Sequence, residues 1–171
     1  ETVIIPASSA TGTRVQGVID LGAYVNVATG QAVAVESVDF VIQAGAGFNQ
    51  LGTNLFTGDG CISTQLTDLN PGSAFVRADN QSLIASGALN LDHTNNVLSH
   101  QADLYPDNFG PASLSEAFMV VNDSLYLVTG SDGAATGGGD IAVTARIKCR
   151  IAKLSAKDFM AIAIQSTASD N

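Results

Sequence analysis

Five of the seven Lys and Arg residues in this sequence lie within twelve consecutive positions, residues 146–157, and no acidic residue lies among them. Three kinds of partner suit such a segment. Its side chains can pair with carboxylates on neighbouring strands of the same sheet, meet the acidic surface of another subunit, or contact the phosphates of nucleic acid or anionic lipid. We call it the basic segment, and its charged residues are Arg146, Lys148, Arg150, Lys153 and Lys157.

The charge of the rest of the chain argues against the nucleic-acid alternative. The whole chain has a formal net charge of −9, and the 159 residues outside the basic segment hold two basic and sixteen acidic residues, a net charge of −14. Proteins that bind nucleic acid usually have a net basic domain or a basic arm. We therefore expect weak or no direct nucleic-acid binding, while contacts within the sheet, with another subunit or with lipid stay open.

A second group of residues has the chemistry of a metal site. Asp92, His93, His100 and Asp103 lie in the stretch DHTNNVLSHQAD, and imidazole and carboxylate groups are ligands for zinc and other divalent ions. Their spacing matches no metal-binding pattern, and polar loops are rich in such residues. We therefore expect a solvated loop here, with no bound metal and no cofactor.

The sequence contains no clear catalytic motif. It has no G-x-S-x-G nucleophile motif, and residues 10–14 read ATGTR, without the lysine of a phosphate-binding loop. Only three of the sixteen acidic residues are Glu, and Asp is common in turns for conformational reasons. We expect that the protein is not an enzyme.

Alternating apolar and polar residues predict about eight β-strands. In the strand that contains the basic segment, one face is expected to consist of Ile141, Val143, Ala145, Ile147, Cys149 and Ile151. An earlier strand changes phase between Val35 and Val38, which predicts a bulge at Glu36 and Ser37. Residues 44–60 and 92–114 are expected to be mostly loop.

Two further local signals predict a hairpin and a helix. Asn122-Asp123 lies between two apolar runs and predicts a two-residue hairpin turn. Ser155 followed by Asp158 predicts the start of a helix over residues 155–165. Cys61 and Cys149 are interpreted as two free, buried thiols that pack as small apolar side chains.

Together these elements predict an all-β fold. Because helices between the strands are missing, a parallel α/β fold is excluded. We expect an antiparallel two-sheet sandwich of jelly-roll or Greek-key type with a short C-terminal helix. The chain is expected to form a single domain over residues 1–171, with an N-terminal arm at 1–12, the sandwich at 13–152 and the helix at 155–165.

The composition indicates a protein that is surrounded by neighbours. Charged residues make up 13% of the chain, whereas about 25% is typical of a soluble domain. Permanent interfaces lose charge from their centres, so the low charge favours an assembled subunit. No run approaches the ~18 apolar residues that a membrane-spanning helix needs, and we expect no transmembrane segment.

The whole layout resembles that of small jelly-roll capsid proteins of tailless icosahedral viruses. The resemblance covers residues 13–152 and rests on strand number, long Gly- and Asn-rich loops, low charge and chain length. It implies a shell built by side-to-side packing of sandwiches, with loops on the exterior. The chain departs from small single-stranded RNA capsids in having no basic N-terminal arm.

We therefore expect a self-assembling structural protein, a capsid subunit located in the virion. Its expected partners are copies of itself in a large homo-oligomer and other virion proteins. The alternative is a carbohydrate-binding module or a β-sandwich subunit of an extracellular surface layer or appendage. In that case the protein would be extracellular or at the cell surface, and the two long loops would carry the ligand contacts.

Overall fold

A computed structural model describes residues 1–49, 52–102 and 117–168 of the chain. These residues form nine strands and one α-helix: β1 (Thr2–Ile5), β2 (Arg14–Asp20), β3 (Gln31–Ala44), β4 (Gly60–Thr67), β5 (Leu83–Asp92), β6 (Val97–Ala102), β7 (Phe118–Val120), β8 (Ser124–Gly133), β9 (Ile141–Lys153) and α1 (Ala156–Ala168). Two single turns of 3-10 helix lie at Val27–Thr29 and Gly52–Asn54.

The strands form two antiparallel sheets. The four-stranded sheet has the order β1-β9-β3-β7, and the five-stranded sheet has the order β2-β8-β4-β5-β6. The pairing is nested, since β1 pairs with β9, β2 with β8, β3 with β7 and β4 with β5. One long antiparallel hairpin rolled into two layers gives this nesting, which is the jelly-roll arrangement. The predicted all-β, two-sheet sandwich is confirmed.

The main core lies between the two sheets and follows from the alternation along each strand. Inward side chains of the four-stranded sheet meet inward side chains of the five-stranded sheet. Fully buried members of this core include Ile5, Val33, Val35, Val38, Ile141 and Val143 from one sheet and Ile62, Leu66, Leu125 and Leu127 from the other.

A second, smaller core lies on the outer face of the four-stranded sheet. There α1 packs Phe159 and Ile162 against the small side chains Ala32 and Ala34 and against Met119. Because alanines line this face, the helix can approach the sheet closely. The protein therefore has three layers at this end, and the helix is part of the folded body.

The start of α1 confirms the predicted cap. The Ser155 hydroxyl oxygen accepts a hydrogen bond from the Asp158 backbone N–H at 3.2 Å, and the hydroxyl donates to the Asp158 carboxylate at 2.7 Å. The first of these bonds satisfies one of the N–H groups that have no partner within the first helical turn, and the second holds the two side chains together. The helix continues to Ala168, three residues beyond the predicted end. Among the described residues, no helix is both long enough and apolar enough to cross a membrane.

Two predicted boundaries differ from the structure. The segment 1–12, expected as an arm outside the sandwich, contains β1, whose residues from Thr2 to Ile5 pair with those from Thr144 to Ile141. The segment 92–114, expected to be mostly loop, contains β6, which pairs with β5, and its residues 103–114 lie outside the described residues. Both strands are short and lie at sheet edges, so their alternation is brief.

The predicted hairpin at Asn122-Asp123 is wrong. β7 lies in the four-stranded sheet and β8 lies in the five-stranded sheet, so this connection crosses between the layers. The Asn122 side-chain amide donates to the Asp68 backbone carbonyl at 3.0 Å, which ties the crossing to the end of β4. The three residues between β7 and β8 could form either a hairpin turn or such a crossing, and the pairing of β7 with β3 decides between them.

Candidate functional site

The basic segment begins in the second half of β9, where one edge of that strand opens. β1 runs beside β9 only from Ile141 to Thr144, and the Ala145 N–H donates to the Glu1 carbonyl at 2.9 Å. From Arg146 to Lys153, β9 has β3 on one side and, within the described ranges, no strand on the other. An open strand edge is a template for pairing with another chain, and charged side chains on it disfavour indiscriminate pairing.

Three residues of the basic segment pair with carboxylates on β3. The N···O distances are 3.7 Å from Arg146 to Asp39, 3.2 Å from Lys148 to Glu36 and 3.2 Å from Arg150 to Glu36. All three cations are more than half exposed. The contact within the sheet, one of the alternatives left open by the sequence, is therefore present.

The predicted bulge explains how one carboxylate reaches two cations. The register between β3 and β9 shifts between Val35 and Ser37, so Glu36 is the extra residue, which has no paired residue on β9. Its side chain can then lie between Lys148 and Arg150 on the outer face. The bulge predicted from the change of phase is confirmed at this position.

The five basic residues do not share one face. Arg146, Lys148 and Arg150 project from the outer face of the four-stranded sheet, and strand alternation turns Lys153 towards the opposite face. Lys157 lies in the first turn of α1. The outer-face group combines three cations with Glu36 and Asp39, which leaves a single net positive charge. This group is a small electrostatic target for a polyanion.

The inner face of β9 also changes along its length. Ile141, Val143 and Ala145 are buried, whereas Cys149 and Ile151 are exposed on the part of β9 whose second edge no described strand covers. The interpretation of both cysteines as buried is therefore wrong: Cys149 is exposed and Cys61 is half-buried, and both are free thiols.

The candidate metal ligands are not brought together. Asp92 and His93 lie at the end of the β5–β6 hairpin, while His100 lies on β6 opposite Leu89 and on the other face of the sheet from Asp92. Asp103 lies outside the described residues. Among the residues that the structure describes, no three His, Cys, Asp or Glu side chains are grouped as a metal site requires.

The Asp92 carboxylate instead stabilises its own turn. The Asn95 side-chain amide donates to it at 2.7 Å and the Asn95 backbone N–H donates at 2.9 Å. These hydrogen bonds favour the ionised carboxylate and lower the pKa of Asp92 below its usual value.

Sequence reasoning missed the role of Arg14. Its guanidinium forms a 2.6 Å ion pair with Asp132 and lies 4.7 Å from the centre of the Phe75 ring. This places the β4–β5 connection over the outer face of the five-stranded sheet, and the side chain of Gln65 also binds the backbone of Val76 there. A single arginine at the first position of a strand carries no sequence signal for such a contact.

Comparison of the chain with known protein families and with curated protein sequences finds no match.

Proposed function

We propose that this protein is a structural subunit that assembles with copies of itself into a virion shell. Other virion proteins are its further partners, and no catalytic step belongs to this function. In this proposal the surfaces of the protein bind other protein surfaces and do not bind a small molecule.

One observation carries the proposal. Among the described residues, ten large apolar side chains are exposed on a chain in which charged residues are only 13%. They are Ile4, Val18, Tyr24, Val27, Phe48, Val97, Leu98, Ile151, Met160 and Ile164. Two of them, Ile4 and Phe48, line one depression, so this part of the apolar surface is contiguous. Contiguous exposed apolar surface marks protein contacts, and burial between subunits removes it from water.

The jelly-roll architecture supports the same proposal. Two sheets packed face to face leave side edges, and the parts of their outer faces that α1 and the β4–β5 connection do not cover, which can lie against a neighbouring sandwich. The open edge of β9 carries like charges, which disfavour direct pairing of two β9 edges. A contact between copies would therefore use other surfaces of the sandwich.

Size-exclusion chromatography with multi-angle light scattering tests the proposal, followed by negative-stain electron microscopy of the same fractions. The expected result is a mass many times the 17.5 kDa of one chain and closed shells in the images. A single 17.5 kDa species at millimolar concentration would overturn the proposal. Filaments or sheets would replace the shell by a surface layer or appendage, and a monomer that binds glycans would replace it by a carbohydrate-binding module.

A further inference from the structure

The helix α1 has a second apolar face that points away from its own sheet. Lys157, Met160, Ala161 and Ile164 are exposed, whereas Phe159 and Ile162 are buried. The exposed positions are spaced i, i+3, i+4 and i+7, so they lie in one stripe along the helix. Met160 is 55% exposed and Ile164 is 61% exposed. Stripes of this spacing are how helices dock into apolar grooves.

An apolar depression lies on the outer face of the same sheet, near the start of β9. Its volume is about 330 Å³, and its lining includes Ile4, Ala46, Phe48 and Ala142, with Asp140 also among the lining residues. Ile4 is 52% exposed and Phe48 is 61% exposed.

The wall formed by Phe48 has an unusual backbone. Its φ is +54°, in the left-handed region that a bulky side chain rarely adopts. Its N–H donates to the Gly45 carbonyl at 3.1 Å, which closes the turn that holds it. The turn thus keeps a large aromatic ring at the surface instead of in the core.

One chain cannot bring its own helix stripe to its own depression. Ala142 lies at the depression, and Ala152, ten residues further along β9, packs beneath α1. Ten residues of strand span about 34 Å. Since β9 is one continuous strand paired with β3 along its length, the two surfaces remain at opposite ends of the same sheet face.

We propose that α1 of one copy docks into this depression on the next copy, with Lys157 facing Asp140. This inference rests on the proposed self-assembly and names the contact that makes it. Met160 and Ile164 would pack against Ile4 and Phe48 of the neighbour, and the flexible methionine suits an irregular pocket. The opposite charges would fix the register of the helix in the groove.

The contact is head-to-tail, because different surfaces of the two copies meet. Such a contact can repeat from copy to copy until it closes into a ring or a shell. Each added copy leaves one free helix and one free groove.

Charge reversal gives the sharpest test. Lys157→Glu and Asp140→Lys are made singly, and assembly is followed by light scattering over a concentration series. Each single variant should raise the concentration needed for half-assembly at least tenfold, because it places like charges across the contact. Asp140→Lys also removes the 2.8 Å hydrogen bond that the Ala7 N–H donates to the Asp140 carboxylate, so circular dichroism of this variant is measured as well. A glutamate in the first turn also suits a helix, so the fold of the Lys157→Glu variant should persist, and circular dichroism checks this.

The decisive experiment mixes the two single variants. The helix of the Lys157→Glu variant then meets the groove of the Asp140→Lys variant with opposite charges across the contact. The helix of the Asp140→Lys variant keeps Lys157 and meets the unchanged Asp140 in the groove of the other variant. The mixture should therefore assemble at concentrations where neither variant does alone. The double variant should assemble by itself. Lys153→Glu, which changes the same charge away from the helix stripe, should assemble like the original protein.

An apolar pair of variants tests the same contact without charge. Met160→Ser should weaken assembly, while Met160→Leu, which keeps an apolar side chain of similar size at the same exposed position, should not. If the original protein assembles and both Lys157→Glu and Met160→Ser assemble equally well, the helix–groove contact is wrong and the proposed function stands. If the original protein stays monomeric, the proposed function itself is wrong.

Discussion

The three cations on the outer face of β9 give a prediction that separates folding from assembly. Replacing Arg146, Lys148 and Arg150 together by Gln removes the ion pairs to Glu36 and Asp39 at 3.2–3.7 Å. Exposed pairs contribute ~0.2–1 kcal/mol each. Because all three cations are more than half exposed and two share one carboxylate, we expect a total loss of about 1 kcal/mol.

Urea and thermal unfolding measure this loss. A change of about 1 kcal/mol corresponds to about 2–4 °C in Tm for a chain of this size. In 1 M NaCl the Debye length falls to about 3 Å, so most of the loss should disappear. The measurement is made at two protein concentrations, because a contribution from subunit contacts grows with concentration and one from within the sheet does not.

The matched control removes the other side of the pairs. Glu36→Gln together with Asp39→Asn should lower the free energy of unfolding by about as much as the triple variant does. Combining all five changes should lower it little further than either set alone. A loss above about 3 kcal/mol, beyond the sum of three exposed pairs, or a loss unchanged in 1 M NaCl, would refute the ion-pair reasoning. It would indicate that the long side chains act by packing against the sheet.

Three further changes test local features. Phe159→Ala should lower the free energy of unfolding by about 3 kcal/mol, because this ring is buried beneath the helix. It should raise the rate of amide hydrogen exchange in α1 more than in the sheets, and an equal rise in both would contradict this. Gly30→Ala should destabilise more than Gly72→Ala in urea unfolding: both have positive φ, but only at Gly30 does a Cβ meet a backbone carbonyl, just beyond β9. Asn95→Ala should raise the pKa of Asp92 towards its usual value in an NMR titration. Because the folded pKa is the lower one, the stabilisation from these hydrogen bonds is present above the unfolded pKa and is lost as the pH falls through the folded pKa.

Features with a strong local signal were predictable from the sequence. The change of phase around Glu36 located the bulge because a strand with one buried face cannot slip by one residue without exposing its apolar side. Ser155 and Asp158 located the helix start because their side chains bond locally. Both signals depend on neighbours in the sequence.

Features that depend on distant partners were not predictable in the same way. The connection at Asn122 has hairpin residues but crosses between sheets, because β3 pairs with β7 and β4 pairs with β8. Cys149 has the alternation of a buried residue, yet it is exposed on the part of β9 whose second edge no described strand covers. Ion pairs between the basic segment and β3 were one of several alternatives that the sequence left open. Only the register of β3 against β9 shows that they form.

The nested pairing also sets the order in which the protein can form during synthesis. β9 joins β1 to β3, and β8 joins β2 to β4, so each sheet receives its connecting strand last. Until residues 124–153 leave the ribosome, each of the strands β1 to β4 lacks a strand that will pair with it, and their apolar faces are exposed. Such distant pairing makes folding slow, with exposed intermediates prone to aggregation. The growing chain therefore depends on whatever shields the earlier strands until β8 and β9 have been made.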